Sequence, residues 1–199
     1  MKLYMHPMSG CSARVLSFLA HHPEIELEMV HVALEKGAHK QPDYLAKNPM
    51  GLVPYLEFDG DAGGLSESVA ILRYLMQRHA PEALLPDASL EERARLDQWT
   101  CWGLVHLGGA LSALNQETGL KRMRGEEPDE AKVALLKKHV FALLDKLDER
   151  LATSQGAYVF GERPSLADYV MAPNLLASCK ISGIEPPERI VTWMHRFAS

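Results

Sequence analysis

The first third of the chain reads as short strands alternating with helices. Residues 2–6 form a short extended run, and 12–20 place Val15, Leu16 and Leu19 at helical spacing. Residues 26–32 alternate, which predicts a strand with Ile25, Leu27, Met29 and His31 on one face and Glu26, Glu28 and Val30 on the other. Residues 42–48 open on Pro and close before Asn48-Pro49, the pattern of a short helix. A second strand follows over 53–59, with Asp59-Gly60-Asp61 and Gly63-Gly64 marking a hairpin turn. Ser66-Glu67-Ser68 then leads into Val69, Ile71, Leu72, Leu75 and Met76, an amphipathic helix. The order β-α-β-α-β-β-α is that of a small α/β domain over 1–79.

Residues 80–89 carry two prolines and read as a linker. Beyond it the period changes. Residues 90–114 are helix-periodic, and 126–151 repeat Val133, Leu136, Val140, Leu143, Leu144, Leu147 and Leu151. Shorter helices are expected over 166–179 and 187–197. No comparable strand signal occurs beyond Phe160, so 90–199 is expected to be all-helical.

Composition narrows the function. The 199 residues are 47% hydrophobic and 24% charged, ordinary values for a globular chain. A formal net charge of −5 with no basic block argues against nucleic acid or anionic membrane as the main partner. No apolar run approaches the ~20 residues of a membrane span, and the first residues lead into a strand instead of a signal peptide. Cys11, Cys101 and Cys179 are odd in number and widely spaced, with no CxxC or Cys/His metal pattern. A reducing, cytoplasmic compartment is expected, with no metal and a small molecule or another protein as partner.

Four segments can carry chemistry. His6-Pro7-Met8-Ser9-Gly10-Cys11-Ser12-Ala13-Arg14-Val15 joins a strand to a helix start, where unpaired N–H groups and the helix dipole favour an anion. A hydroxyl there can donate to a thiolate and lower the thiol's pKa. Simple N-capping by Ser9 or Ser12 explains the same residues. In Asn48-Pro49-Met50-Gly51-Leu52-Val53-Pro54, a cis Val53–Pro54 bond would leave the Val53 backbone to pair with an extended peptide, and an ordinary Gly-then-Pro turn is the alternative. Glu67 and Ser68 at a helix start can hold the cation and the carboxylate of an α-amino acid, or Ser66 and Ser68 can serve as caps. Ser165 and Asp168 have capping-box spacing and read as a stability element of the helical part.

Those segments, in that order, resemble the cytosolic glutathione transferase family over nearly the whole chain, with a thioredoxin-like domain, a linker and an all-helical domain. The resemblance implies that Val53, beside cis Pro54, pairs with the cysteinyl backbone of glutathione, and that Glu67 and Ser68 hold its γ-glutamyl end. His39-Lys40 is similar to the pair that holds the glycine carboxylate in phi- and theta-type members, and Ser9 matches the serine that activates the thiol. The resemblance thus implies a glutathione transferase conjugating small hydrophobic electrophiles, with glutathione as co-substrate and a homodimer as the assembly.

Within the family, His6-Pro7-Met8-Ser9 and His39-Lys40 look phi-like, whereas 67–75 and Arg93-Ala94-Arg95-Leu96-Asp97 look theta-like. Ser9-Gly10-Cys11-Ser12-Ala13-Arg14-Val15 is similar to the signature of zeta-type enzymes, which isomerise maleylacetoacetate. Leu52 stands where phi and zeta members usually carry Gln, and Glu67 stands where zeta members carry Gln. The chain stops at 193–199, where many relatives continue, and a short tail would open the electrophile site. Met8, Trp99, Trp102 and His106 are the positions the resemblance assigns to that site; core packing and a dimer surface are the alternative use. Aligned on Arg14, both redox positions of glutaredoxin-like motifs are hydroxyls, Ser9 and Ser12, with Cys11 out of phase between them. Cys11 as nucleophile of a thiol transferase, a maleylacetoacetate-type isomerase and a non-catalytic glutathione-binding protein are the rival functions.

Overall fold

A computed structural model describes residues 1–60 and 62–198. Two compact units divide the chain, Met1–Pro81 and Glu82–Ala198. The first is a four-stranded sheet of order β2-β1-β3-β4, made by β1 (Lys2–Met5), β2 (Glu28–His31), β3 (Tyr55–Glu57) and β4 (Gly64–Leu65). β1 pairs in parallel with β2, Leu3 against Met29, and antiparallel with β3, Leu3 against Leu56. Helices α1 (Gly10–His21) and α3 (Ser68–His79) pack against each other, and α2 (Pro42–Leu45) is a single turn. Leu3, Val15, Phe18, Leu56, Ile71, Leu72, Leu75 and Met76 are fully buried. Each such side chain contributes roughly 1.5–3 kcal/mol by leaving water. The expected element order is present; the Asp61 part of the anticipated hairpin turn lies outside the described residues.

The face expected for the second strand holds only at its start, where Ile25 is buried and Leu27 half-buried. Met29 and His31 are exposed, while Val32, just past the strand, is buried with Tyr44 and Val53. A period of two fixes alternation but not which side is covered, and β2 is an edge strand. The strand is also shorter than the expected 26–32.

The second unit is helical. Its first long run is α4 (Leu90–Trp102), a π turn at Gly103–Leu107, α5 (Gly108–Asn115), a second π turn at Gln116–Leu120, and α6 (Lys121–Met123). Gly103 is required where the first π turn begins, because a Cβ there would overlap the Met171 side chain. α7 (Glu130–Thr153), α8 (Leu166–Ser182) and α9 (Glu188–Met194) complete the unit. Asp168 is fully buried and accepts from Val159 N, Ser165 N, Ser165 Oγ and Trp193 Nε1. Burial pushes its carboxyl up, against four donors that pull the other way. The Ser165–Asp168 spacing therefore serves the core of this unit.

Glu117, on the second π turn, is buried and meets both Lys121 Nζ and Lys132 Nζ at 2.5 Å, and Asp129 N at 3.0 Å. This ties the end of the first long run to the start of α7. Hydrogen bonds from Lys121, Lys132 and the Asp129 amide hold its carboxyl at about 2, against an ordinary 4.5. A carboxyl depressed in the folded state contributes stability that is present above the unfolded value and lost as pH falls through the folded one. Glu117→Gln is therefore expected to unfold at lower urea than wild type near neutrality, with the gap closing between about pH 4.5 and about 2. A gap that does not change with pH would contradict this assignment.

Candidate functional site

Ser9 begins α1 as its N-cap, with φ −81° and ψ 119°, and its Oγ accepts from Ser12 N at 3.3 Å. Ser9 N donates to His6 O at 3.0 Å, and Met8 N donates to the His6 ring Nδ1 at 3.2 Å. Ser12 is buried, and its Oγ accepts from His6 N at 3.3 Å. The capping alternative for Ser9 thus holds, and it uses only a lone pair. Among the described residues the Ser9 O–H donates to no acceptor.

Cys11, next but one along, is exposed, with Arg14 Nη1 at 3.7 Å from its Sγ. Arg14 is buried, and the same Nη1 donates to Ser68 Oγ at 3.1 Å. Burial lowers its pKa, and the charges of Cys11 and Glu67 oppose that. Ser68 is the first residue of α3 and is itself buried. Glu67 is the N-cap at φ 69° and ψ 114°, a conformation that costs a non-glycine residue about 1–3 kcal/mol. Its carboxylate makes no capping bond and is exposed. Neither serine caps α3, contrary to the simpler expectation: Ser66 Oγ donates to Asn48 Oδ1 at 2.9 Å, and Ser68 accepts from Arg14.

The Val53–Pro54 bond is cis, as anticipated. The ladder between β1 and β3 ends at Tyr55, and among the described residues no hydrogen bond engages the Val53 backbone. The preceding loop is shaped by Asn48, which is 1% exposed. Its Nδ2 donates to Leu52 O at 2.7 Å, its Oδ1 accepts from Met50 N at 3.2 Å, and its C=O accepts from Gly51 N at 2.9 Å. Tyr44 OH also donates to Leu52 O, at 2.6 Å. Gly51 has φ 59°, and a Cβ there would crowd Leu45, His39 O and Lys40 Nζ.

His39 and Lys40 lie on a short 3-10 turn, Ala38–Lys40. Lys40 Nζ donates to Gly51 O at 2.9 Å, and His39 Nδ1 is buried with no partner among the described residues. Met8 is exposed. In the helical unit, the Trp99 and Trp102 rings meet edge to face at 5.1 Å, so the predicted shared face exists for these two. They line a groove of about 470 Å³ with Gln98, Lys146, Glu149 and Arg150. His106 falls on the first π turn and is exposed, outside that groove. Among the described residues no group of three His, Cys, Asp or Glu side chains can hold a metal. None of the described helices is long and apolar enough to cross a membrane.

The family descriptions "Glutathione S-transferase, N-terminal domain" and "Glutathione S-transferase, C-terminal domain" match residues 1–77 and 127–196. Glutathione S-transferase F13 of Arabidopsis thaliana is 34% identical over 175 residues, 87% of this chain and 78% of its own length. The chain belongs to the glutathione S-transferase family. A second relative in sequence is the maleylacetoacetate isomerase of Pseudomonas aeruginosa, 35% identical over 89% of this chain and 81% of its own. Among solved structures, glutathione S-transferase I from mais, in complex with an atrazine glutathione conjugate, superposes with a TM-score of 0.79. It is 27% identical and covers 98% of this chain and 90% of its own.

For this glutathione S-transferase, sequence reasoning misses Asn48 and the contacts of Arg14. Asn48 reads as the end of a helix before a proline; its buried amide becomes visible only with the loop folded around it. An Arg spaced among apolar helix residues is the one available signal for Arg14, since a buried charge must find partners. Asn48→Ala removes two acceptor bonds and one donor bond and leaves Ser66 O–H and Met50 N–H unpaired. The variant is expected to lose about 2–4 kcal/mol of unfolding free energy, with faster hydrogen exchange at Met50. Wild-type urea stability would contradict the hub role.

Proposed function

We propose that this glutathione S-transferase conjugates glutathione to small hydrophobic electrophiles, with Ser9 donating a hydrogen bond to the sulfur. The carrying observation is common to Ser9 and Ser68. Each hydroxyl accepts from a protein donor, Ser12 N and Arg14 Nη1 respectively, and donates to no acceptor among the described residues, which leaves its proton available to a ligand. A donor at a helix start beside a thiol favours the thiolate, which attacks the electrophile's carbon as the leaving group departs with the bonding electrons. Ser68 O–H and the α3 N-terminus suit the γ-glutamyl carboxylate, and the exposed Glu67 carboxylate suits its ammonium. The unengaged Val53 backbone suits the cysteinyl amide in strand-like pairing. The exposed Lys40 supplies a charge for the glycine carboxylate, with His39 beside it on the same 3-10 turn.

The division expected from sequence belongs to the same reading: a glutathione-binding domain over 1–79, a linker over 80–89 that contains the 3-10 turn Pro81–Leu84, and a helical domain over 90–199. Met8, Trp102 and His106 remain electrophile-site candidates on the family resemblance alone, and family membership supports a cytoplasmic homodimer. Cys11 is the weaker nucleophile candidate, because it falls out of phase with the two redox positions of glutaredoxin-like motifs, which are the hydroxyls Ser9 and Ser12.

Isomerisation is the second reading, supported by the Pseudomonas relative and the Ser9–Val15 run. Turnover of maleylacetoacetate with poor conjugation would favour it. For the first reading, Ser9→Ala is expected to stay on immobilised glutathione while kcat for a chlorinated aromatic electrophile falls roughly 10²-fold or more. Unchanged turnover would remove Ser9 from the mechanism, and loss of activity in Cys11→Ala with a glutathione mixed disulfide in wild-type intact mass would install Cys11 instead.

A further inference from the structure

Every polar atom of His6 is committed to the loop that carries Ser9 or to the turn beside it. Its backbone N–H donates to Ser12 Oγ, its C=O accepts from Ser9 N, and its ring Nδ1 accepts from Met8 N at 3.2 Å. The remaining ring nitrogen, Nε2, lies 3.5 Å from Glu35 Oε2. We propose that His6 is a positioning residue for Ser9, holding the Met8–Ser9 turn only while its imidazole is neutral. The inference rests on the assignment of Ser9 to the thiol.

The donor and acceptor inventory carries the argument. A neutral imidazole has one N–H and one lone pair, and the Met8 amide requires the lone pair at Nδ1. The ring proton then sits on Nε2, the nitrogen that faces the Glu35 carboxylate, so Glu35 favours the tautomer the turn needs. When the ring takes a second proton, Nδ1 becomes a donor pointed at the Met8 N–H. That contact turns from attraction to repulsion, and the turn that seats Met8 and Ser9 opens.

The charged groups facing the ring are few. Glu35 approaches from the 3-10 turn Leu34–Lys36, with Lys36 next to it. His31 approaches from β2, its ring 5.0 Å away centroid to centroid, and it shares the Glu35 carboxylate electrostatically. From α1 come the cap and its amides. Glu35 is held below the usual carboxylate range by its own backbone N–H first, then by His6, His31 and Lys36. It therefore stays negative where imidazoles titrate, and its charge favours the tautomer the turn needs.

The test is the acid limb of kcat/KM for glutathione with a chlorinated aromatic electrophile. In wild type, two protons act there: the thiol's own and that of His6. The logarithm of kcat/KM is expected to fall with a slope steeper than one across the segment where His6 gains its proton, returning to one below it. His6→Asn places an oxygen where Nδ1 lies; it accepts from Met8 N and takes no proton, so its slope is expected to be one. His6→Ala loses the acceptor, and its plateau is expected to fall about tenfold. Equal slopes in wild type and His6→Asn, or a wild-type plateau in His6→Ala, would overturn the proposal. Failure of the Ser9 assignment shows differently, as full turnover in Ser9→Ala whatever the His6 variants do.

Discussion

A buried guanidinium joins the two helix starts on which the site is built. Arg14 is 3% exposed, at the core side of α1, and its Nη1 reaches both Cys11 Sγ and the Ser68 hydroxyl at the head of α3. A cation in that position carries a desolvation cost of several kcal/mol unless hydrogen bonds and nearby negative charge offset it. The Ser68 hydroxyl and the Glu67 carboxylate are part of that compensation. The consequence is geometric. Ser9 opens α1 and Ser68 opens α3, so the charge that pins one helix to the other also sets the distance between two candidate ligand contacts. An Arg here, with its planar fork, can serve two acceptors at once, where a Lys could not hold the same directions.

The loops follow a similar rule in which protein–protein bonds decide which way a polar group is left pointing. Asn48 takes up the Leu52 carbonyl and the Ser66 hydroxyl, and the Val53 backbone, next along the chain, is left unengaged. Ser9 spends a lone pair on its helix and keeps its proton. His6 spends its carbonyl and its ring Nδ1 on the Met8–Ser9 turn. The left-handed backbone of Glu67 adds a strained element at the same place, which persists because α3 and the Arg14 contact over-determine it. Preorganised donors of this kind cost no reorganisation when negative charge appears on a ligand.

Much of this architecture is legible in the sequence alone. The strand and helix order of the first unit follows from the switch between periods of two and 3.6, and the helical second unit from the long repeat of 133–151. Ser9, Val53-Pro54 and Glu67-Ser68 can be found because turn and helix-start chemistry leaves local signals. What stays hidden depends on long-range geometry. The inward side of β2 is set by what covers an edge strand, so alternation alone does not reveal that Met29 and His31 are exposed while Ile25 is buried. The π turn at 103–107 interrupts the 90–114 run, which reads as uninterrupted helix, with Gly103 fitting against Met171 only once the helices pack; the π turn at 116–120 lies beyond that run. Asn48 gives no sign in sequence that its amide is a hub. His106, placed by resemblance beside the tryptophans, is exposed on a π turn away from their groove.

The central claim is that Ser9 holds its proton for the glutathione sulfur. Titrating the ultraviolet thiolate absorbance of glutathione bound to wild type and to Ser9→Ala tests it without recourse to turnover. The account predicts a midpoint at least about one pH unit lower in wild type, the signature of a hydrogen bond made to the charged form. Coincident titrations, with glutathione bound equally well to both proteins, would contradict it.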